Sequence, residues 1–507
     1  MTTLAQIQTI VVLMLENRSL DNVLGWLHQD GKPITIWPKG DLPQRFDGIS
    51  PSDVNWKGET MWRPTNGYAS VGPQRWRMPR WDPKEGIFDV HRQMYANASG
   101  FVLDTGWGSN IPMGGFAQDF PAGNEAGVGD VMGAYNREDL PVLYGLAENF
   151  AVSDRWFASV PSETDPNRGF SLTGTSDGDE YALQFKIFKG PTLFGGLNAL
   201  NSNTPGGKSW GIFYRDGGAG SMAPSGSICY TEGKFTQVRS ELLQSNGRGQ
   251  ITPFADFLKA LRAGASIPQF CYIEPSWGWG WGEPGGNDFI GVQGSDYHPP
   301  SWVGPGEWYL NELYVALRNS PQWDTMLFVI LFDEHGGTWD HVAPPRCENP
   351  DGIVAKHPVP FEFKRMGPRV PALLVSPYVS PRTVFRAPPG SRAAFDHTSL
   401  IKTVLNWAGT KTSYIANMGQ RVMKAPPFDG VFSPTIVQPN AVRDFNPPLA
   451  FKNQCPLGKH HLLMKHADLL TRDDHHLAEA VSTNVEEYVA ELTRRAASKS
   501  RLVDPTP

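Results

Sequence analysis

Two stretches of the sequence decide the fold, Thr9–Leu15 (TIVVLML) and Met326–Phe332 (MLFVILF). Both are short, apolar and free of polar alternation, which is the pattern of strands buried on both faces of a sheet. Phe270–Ile273 and Val370–Val375 have the same character. We expect all four segments to be parallel strands.

Amphipathic helical patterns lie between these strands. Apolar residues recur with helical spacing over Phe254–Leu261 and Leu310–Leu317, and Asp396–Gly409 has a predicted N-cap at one end and a glycine stop at the other. Strands that alternate with helices predict an α/β fold with a doubly wound, mostly parallel sheet and helices on both faces. Long segments rich in Gly, Pro, Ser and Trp are predicted loop insertions, over 29–135, 176–250 and 276–305.

The composition is that of a globular protein. The chain has 507 residues, 40% of them hydrophobic, and a net charge of −6. No run approaches the ~18 apolar residues of a transmembrane helix, and the balanced charge argues against a nucleic-acid partner. We expect one α/β domain over residues 1–454 and a C-terminal helical extension over residues 455–507. The four widely spaced cysteines contain no C-x-x-C pair, which argues against a zinc finger and leaves the disulfide state open.

The N-terminus has no basic segment before its apolar run, which is unlike a secretory signal peptide. The sequence therefore predicts a cytoplasmic protein or one exported by a signal-less route, and a secreted protein if a signal has been removed. It does not indicate an oligomeric state.

Oxygen-bearing side chains follow the two deciding strands. Glu16 and Asn17 follow the first, and Asp333 and Glu334 follow the second. Ligands of α/β sheets bind beyond the carboxyl ends of the strands, and carboxylates gathered there repel one another unless a cation holds them. We expect one divalent cation, of the set Ca²⁺, Mg²⁺, Mn²⁺ or Zn²⁺. The alternative is that these residues only cap strand ends at a hydrated edge.

Four histidines stand beside acidic residues in polar segments. His298 follows Asp296 by two positions, and His397 follows Asp396 directly. His335 and His341 lie in the segment after the second deciding strand, where His341 follows Asp340. A carboxylate beside an imidazole can fix its tautomer for acid–base chemistry or metal binding. An N-cap followed by a histidine can also be purely structural.

A polar turn over 160–169 contains a candidate nucleophile. Ser162 or Thr164 could attack substrate when activated by a metal, and Asn167 and Arg168 could bind an anion. Taken without comparison, the segment also fits an ordinary turn.

Three tryptophans alternate with glycines at Trp277, Trp279 and Trp281. On loops at the mouth of a site, they could hold a quaternary ammonium by cation–π contact or insert at a lipid interface. The alternative is that they pack the loops that carry them.

Five motifs in this order resemble those of a known family, the phosphoesterases. The family comprises the non-specific, phosphatidylcholine-preferring phospholipases C and related acid phosphatases, within the alkaline-phosphatase-like superfamily. The resemblance covers residues 7 to about 410. The motifs are Glu16–Asn22 (ENRSLDN), Ser159–Arg168 (SVPSETDPNR), Asp296–Pro299 (DYHP), Asp333–Pro345 (DEHGGTWDHVAPP) and Asp396–Ser399 (DHTS).

The resemblance implies a covalent mechanism. Thr164 would attack phosphorus and form a phospho-threonine that water then hydrolyses. The implied cation ligands are Glu16, Asn17, Asp333 and Glu334. His298 and His397, oriented by Asp296 and Asp396, would protonate the leaving group and stabilise the oxyanion. His335 and His341 would act there or brace the metal loop.

The implied activity is that of a metal-dependent phospholipase C, a phosphoric ester hydrolase. It would cleave glycerophospholipids such as phosphatidylcholine to diacylglycerol and a phosphorylated head group, with peripheral membrane contact. The alternatives are an acid phosphatase with the same metal centre and a non-catalytic relative that binds lipid or phosphate. One departure stands out: relatives often have a histidine in the segment before the nucleophile where this chain has Glu85.

Overall fold

The computed structural model describes residues 4–40, 44–96, 106–120, 125–182, 187–199, 207–215, 229–277, 279–282, 289–292, 294–355, 360–391 and 393–449. The predicted C-terminal extension over residues 455–507 lies outside these ranges, so the boundary after residue 454 stays a prediction. Across the described ranges, no helix has both the length and the apolar character needed to span a membrane. The cysteines in these ranges, Cys229, Cys271 and Cys347, are free thiols.

A large sheet forms the centre of the fold. Its strands and those of two small hairpins are β1 (Thr9–Leu15), β2 (Thr35–Trp37), β3 (Asn55–Lys57), β4 (Thr60–Trp62), β5 (Ala151–Ser153), β6 (Trp210–Tyr214), β7 (Gly249–Pro253), β8 (Phe270–Ile273), β9 (Trp279–Gly282), β10 (Phe289–Val292), β11 (Met326–Phe332), β12 (Ala372–Val375) and β13 (Thr383–Phe385). Within the described residues, the sheet has nine strands in the order β2-β13-β5-β12-β11-β1-β8-β6-β7. The hairpins pair β3 with β4 and β9 with β10.

The sheet is mostly parallel, which confirms the predicted fold class. β1 lies at its centre and pairs in parallel with β11 on one side and β8 on the other. The prediction for Val370–Val375 was wrong in one respect. The strand there begins at Ala372 and runs antiparallel to both β11 and β5. An apolar run shows that a strand is buried and does not encode its direction.

The helices are α1 (Leu20–Leu24), α2 (Ile87–Tyr95), α3 (Phe116–Asp119), α4 (Glu125–Met132), α5 (Pro141–Asn149), α6 (Thr164–Thr173), α7 (Leu193–Asn198), α8 (Tyr230–Lys234), α9 (Gln237–Gln244), α10 (Phe254–Arg262), α11 (Val303–Arg318), α12 (His397–Ala408), α13 (Thr412–Asn417) and α14 (Gln420–Lys424). The three helical predictions correspond to α10, α11 and α12. The predicted loop insertions are less irregular than expected, because they contain short elements such as α2, α9 and the two hairpins.

The two deciding strands end side by side. β1 and β11 are buried along their whole length and pair in register, with Leu15 opposite Phe332. The backbone N–H of Asp333 donates to the carbonyl of Leu15 at 3.1 Å. The chain therefore brings Glu16 and Asp333 out of the sheet at neighbouring positions of one edge.

Candidate active site

Three buried carboxylates and one buried guanidinium meet at this edge. Arg168 extends from α6 between two of the carboxylates, with Nε 3.1 Å from Asp333 Oδ2 and Nη2 3.3 Å from Glu16 Oε1. Burial and the nearby Asp333 carboxylate raise the pKa of Glu16 well above its usual value, although Arg168 opposes the shift. Burial and Asp333 likewise raise the pKa of Glu334. Negative charge is therefore in excess around Arg168.

The donor set at this edge suits a divalent cation. Glu334 Oε1 is a buried oxygen without a hydrogen-bond partner in the described structure, and Glu16 Oε1 has only its ion pair with Arg168. Asp333 is more fully engaged, because its Oδ1 accepts from the backbone N–H of Asn17 and of Glu334 while its Oδ2 accepts from Arg168. Carboxylate and amide oxygens are the ligands that hard cations prefer. The chemistry of these oxygens agrees with the predicted cation, but Glu16, Asp333 and Glu334 do not form, among the described residues, a group whose ligand atoms all lie within 4.8 Å of one another. Glu16, Asn17 and Glu334 would offer oxygens to the cation, and Asp333 holds the backbone N–H groups of Asn17 and Glu334.

Thr164 begins α6 beside this group. Its Oγ1 donates to Asn17 Oδ1 at 3.3 Å, so the predicted nucleophile lies next to a predicted cation ligand. The positive end of a helix dipole stabilises negative charge at the first turn. A hydroxyl at the first residue of α6 therefore occupies a place suited to an attacking oxygen or a bound phosphate.

The side chains of the two residues predicted to bind an anion, Asn167 and Arg168, are hydrogen-bonded or ion-paired to other groups of the protein. Asn167 Nδ2 donates to the carbonyls of Val160, Ser162 and Glu163, and its Oδ1 accepts from the backbone N–H of Val160. Asn167 thus fixes the turn that presents the nucleophile. Arg168 pairs with the carboxylates described above, which leaves the predicted anion-binding roles of both residues as predictions.

His298 lies against the Asn17 side chain. Its Nδ1–H donates to the carbonyl of Pro299 at 2.5 Å, so Nε2 is the acceptor, 3.1 Å from Asn17 Nδ2. Burial lowers the pKa of His298 to about 4, and the ring is neutral near pH 7. Asp296 Oδ1 accepts from the backbone N–H of His298 at 3.2 Å, so Asp296 holds the backbone of His298 and does not contact its ring through this bond. The predicted role of His298 is to donate a proton to the leaving group, but a neutral ring whose Nε2 is an acceptor has no proton to donate there.

His397 braces the loop after β11. Its Nε2–H donates to the carbonyl of Asp333 at 2.6 Å, and its Nδ1 accepts from Trp156 Nε1 at 3.4 Å. Burial lowers the pKa of His397, which agrees with a neutral ring. The Asp396 carboxylate is engaged by groups other than this ring. It caps α12 by accepting from the Thr398 backbone N–H, and its other oxygen pairs with Arg421.

His335 is enclosed between two side chains of the same region. Its Nε2 lies 2.8 Å from Gln93 Oε1, and its Nδ1 lies 3.1 Å from Glu334 Oε2. Burial lowers the pKa of His335 to about 3. These contacts place His335 beside a predicted cation ligand, with Nε2 donating to Gln93 and Nδ1 without a hydrogen-bond partner in the described structure.

His341 belongs to a separate charged cluster. Its Nδ1 lies 2.6 Å from Asp21 Oδ2, and Arg369 bridges Asp21 at 2.7 Å and Asp340 at 2.9 Å. Asp21, Asp340 and His341 have the spacing of a metal site, with ligand atoms within 4.8 Å of one another. A guanidinium already neutralises this cluster, so we assign it to holding the first motif against the loop after β11.

Three acidic residues for which the sequence predicted no catalytic role also face the site: Asp82, Glu85 and Glu163. Asp82, Glu85 and His298 also have metal-like spacing, with ligand atoms within 4.8 Å. Burial and the Glu334 carboxylate raise the pKa of Glu85. Burial raises the pKa of Glu163, which directly precedes Thr164, to about 7. The one signal in the sequence was the departure at Glu85.

The tryptophans divide into two groups. Trp277 is buried, and its ring lies 4.3 Å from the Arg168 guanidinium carbon and 4.9 Å from the ring of Tyr230. It therefore packs on the active-site arginine. Trp279 and Trp281 lie on β9, and their side chains fall outside the described residues.

Comparison with known families identifies the class of protein to which the chain belongs. The model of the phosphoesterase family matches residues 7–409. The chain belongs to the phosphoesterase family. This membership confirms the resemblance drawn from the five motifs, and with it the predicted class of phosphoric ester hydrolase.

Named relatives agree with this membership. Non-specific phospholipase C4 of Arabidopsis thaliana is 32% identical over 439 residues, which cover 82% of this chain and 73% of that protein. Non-specific phospholipase C5 of the same plant is 32% identical over 443 residues, covering 82% and 75%. Non-hemolytic phospholipase C of Burkholderia pseudomallei (strain K96243) is 28% identical over 343 residues, covering 58% and 46%.

Solved structures are similar to only part of this chain. A protein of the alkaline phosphatase superfamily from Vibrio parahaemolyticus has a TM-score of 0.29 and 14% identity, covering 56% of this chain and 64% of that chain. An overlap of this size carries no weight for function.

Proposed function

We propose that this chain is a phospholipase C that hydrolyses glycerophospholipids through a phospho-threonine. The observation that carries the proposal is the position of the Thr164 hydroxyl, at the start of α6 and 3.3 Å from Asn17 Oδ1, beside the buried carboxylates. A lipid- or phosphate-binding protein needs no hydroxyl at that place. The named relatives, all phospholipases C, support the same activity.

In the first step, Thr164 Oγ1 forms a bond to phosphorus and the bond from phosphorus to the diacylglycerol oxygen breaks. The hydroxyl loses its proton, and the departing oxygen gains one. Water then cleaves the bond between phosphorus and Oγ1, which releases the phosphorylated head group and restores threonine. A divalent cation held by Glu16, Asn17 and Glu334 would lower the pKa of the hydroxyl and neutralise the phosphoryl oxygens.

The protein's own residues position these partners. Asn17 Oδ1 accepts the hydrogen bond of the Thr164 hydroxyl. The lone pairs of Thr164 Oγ1 therefore point away from Asn17 and toward substrate. Arg168 compensates the charge of Glu16 and Asp333, which lets an anionic phosphodiester approach. Positioning and charge neutralisation of this kind supply most of the catalysis in phosphoryl transfer.

A substrate panel tests the proposal. The purified protein, loaded with each of the four candidate cations in turn, is assayed with phosphatidylcholine vesicles, p-nitrophenyl phosphorylcholine and p-nitrophenyl phosphate. We expect diacylglycerol from the vesicles and turnover of the diester. Turnover of the monoester alone would replace the proposal with an acid phosphatase, and no turnover of any substrate would favour a binding protein.

A further inference from the structure

The side-chain amide of Asn17 has a hydrogen-bond acceptor for each of its N–H groups. Asn17 Nδ2 lies 2.8 Å from Glu85 Oε2 and 3.1 Å from His298 Nε2. Glu85 enters the site from the segment before α2, and His298 enters from the segment before α11. Two separate insertions therefore converge on one amide group.

The tautomer of His298 makes the orientation of this amide unambiguous. The carbonyl of Pro299 can only accept, so His298 Nδ1 carries the proton and Nε2 presents a lone pair to Asn17. A reversed amide would set its carbonyl oxygen against a carboxylate oxygen and an imidazole lone pair. The amide oxygen and the lone pair of His298 Nε2 would then face each other without a proton, which is costly in a buried site.

The same orientation directs Oδ1 of Asn17 toward the reacting groups. Oδ1 accepts from Thr164 Oγ1 at 3.3 Å and keeps a second lone pair for a cation. The backbone of Asn17 is fixed as well. It adopts a φ of 55°, its N–H donates to Asp333 Oδ1 at 3.1 Å, and a Cβ on the adjoining Gly336 would collide with its carbonyl oxygen.

These contacts also explain why Glu85 and His298 lie so close together. Their metal-like spacing arises because the amide nitrogen of Asn17 lies between them and donates to both. An ion bound directly by the same two atoms would have to displace these hydrogen bonds. The closeness of Glu85 and His298 is thus accounted for by an N–H donor, whereas Asp82, the third member of the cluster, is not accounted for by this donor.

We propose that Glu85 and His298 are positioning residues that hold the Asn17 amide so that its oxygen faces Thr164 and the cation. The expected effect on catalysis rests on the proposed function. The positioning of the Asn17 amide rests on the hydrogen bonds alone. Residues that orient a metal ligand from behind typically change metal affinity or activity by about 10–100-fold when they are removed. Glu85 would therefore act through Asn17 without touching substrate.

Three variants and a control test the proposal. Glu85→Ala removes the acceptor, Glu85→Gln keeps an acceptor oxygen but removes the charge, and His298→Phe removes the Nε2 lone pair. Glu312→Ala is the control, because Glu312 pairs with Arg262 on the surface of α11. The affinity for Mn²⁺ is measured by calorimetry on chelator-treated protein, alongside kcat and KM for p-nitrophenyl phosphorylcholine and the midpoint of thermal unfolding.

We expect Glu85→Ala and His298→Phe to lower Mn²⁺ affinity and kcat by about 10–100-fold with little change in KM. Glu85→Gln should recover most of both losses, and Glu312→Ala should match the wild type. If Glu85→Gln binds Mn²⁺ as weakly as Glu85→Ala, Glu85 is itself a cation ligand and the proposal is overturned. Wild-type Mn²⁺ affinity in Glu85→Ala overturns it as well. A wild type that binds Mn²⁺ but hydrolyses nothing rejects the proposed function, while the affinities still decide this proposal.

Discussion

Arg168 and Asp333 are joined by a buried ion pair, with Nε of the arginine 3.1 Å from Oδ2 of the aspartate. The pair links α6, which carries the candidate nucleophile, to the loop after β11, which carries candidate cation ligands. Burial lowers the pKa of Arg168, but Asp333 and Glu16 outweigh that effect and raise the pKa above its ordinary value. The guanidinium therefore stays charged where it is most needed.

Removing this guanidinium should destabilise the fold. We expect Arg168→Met to lower the free energy of unfolding by about 3–5 kcal/mol, because two carboxylates lose their buried partner. Urea unfolding followed by fluorescence measures the change. Arg262→Met, which breaks the exposed pair with Glu312, should cost at most about 1 kcal/mol. Equal losses in the two variants would contradict the role given to Arg168.

The candidate nucleophile can be tested by removing its oxygen. We expect Thr164→Ala to lower kcat by about 10³-fold or more, because it removes the hydroxyl that forms the covalent bond to phosphorus. Thr164→Ser keeps a hydroxyl and should retain measurable turnover. Near-UV circular dichroism should be the same for both variants and the wild type. Full activity in Thr164→Ala would exclude the phospho-threonine.

Cation binding should raise the midpoint of thermal unfolding. The predicted site gathers buried carboxylates that repel one another, so a chelator should lower the unfolding midpoint as well as abolish turnover. At a cation concentration ~100 times its dissociation constant, the gain in unfolding free energy is about 2.7 kcal/mol.

The Glu334 side chain provides the matched test of that claim. Its Oε1 is buried without a hydrogen-bond partner among the described atoms, so Glu334→Gln should reduce the response of the unfolding midpoint to added cation. Glu241→Gln is the control, since Glu241 is a buried glutamate that accepts from Thr192 instead. A response that is unchanged in Glu334→Gln would place the cation elsewhere.

The charged cluster around His341 should make stability depend on pH. Burial alone lowers the pKa of His341, but the Asp21 carboxylate and hydrogen bonds to Asp21 and Asp47 outweigh it and raise the pKa to about 10. Because the folded pKa lies above the unfolded value of ~6.5, the contribution is complete below about pH 6.5 and is lost as the pH rises to about 10.

We expect His341→Gln to be less stable than the wild type by about 2 kcal/mol near pH 6, the scale of a charged hydrogen bond. The difference should shrink steadily toward pH ~10. Urea unfolding of both proteins across this range measures it. A difference that stays constant or grows with pH would show that His341 is neutral in the folded protein.

Much of the fold follows from local sequence pattern. Unbroken apolar runs located β1, β8 and β11, and helical spacing located α10, α11 and α12. Because the carboxyl ends of β1 and β11 meet, the grouping of Glu16 with Asp333 was also predictable. What could not be predicted depends on tertiary contacts. The direction of β12 is set by the path of the chain after β11, and no local pattern records it.

The same limit applies to the candidate site. The motifs located Thr164 and Asn17, but Glu85 reaches Asn17 only because the segment before α2 folds back over the sheet edge. For Trp277 the sequence left open contact with substrate or lipid and packing of its loop, and the structure shows it buried on Arg168. Side chains that arrive from insertions carry no periodic signal. Their partners are known only once the insertion has folded.

The central position of β1 has a consequence for how the protein is made. Both neighbours of β1 in the sheet come from much later in the chain, and the hydrogen bond from Asn17 to Asp333 joins residues 316 positions apart. On the ribosome, the apolar segment TIVVLML therefore emerges long before either partner strand exists. Unpaired strands of this kind associate with one another in incomplete chains. The β1 segment therefore lacks its β11 partner until Phe332 has left the ribosome, and only then can the nucleophile and its cation ligands come together.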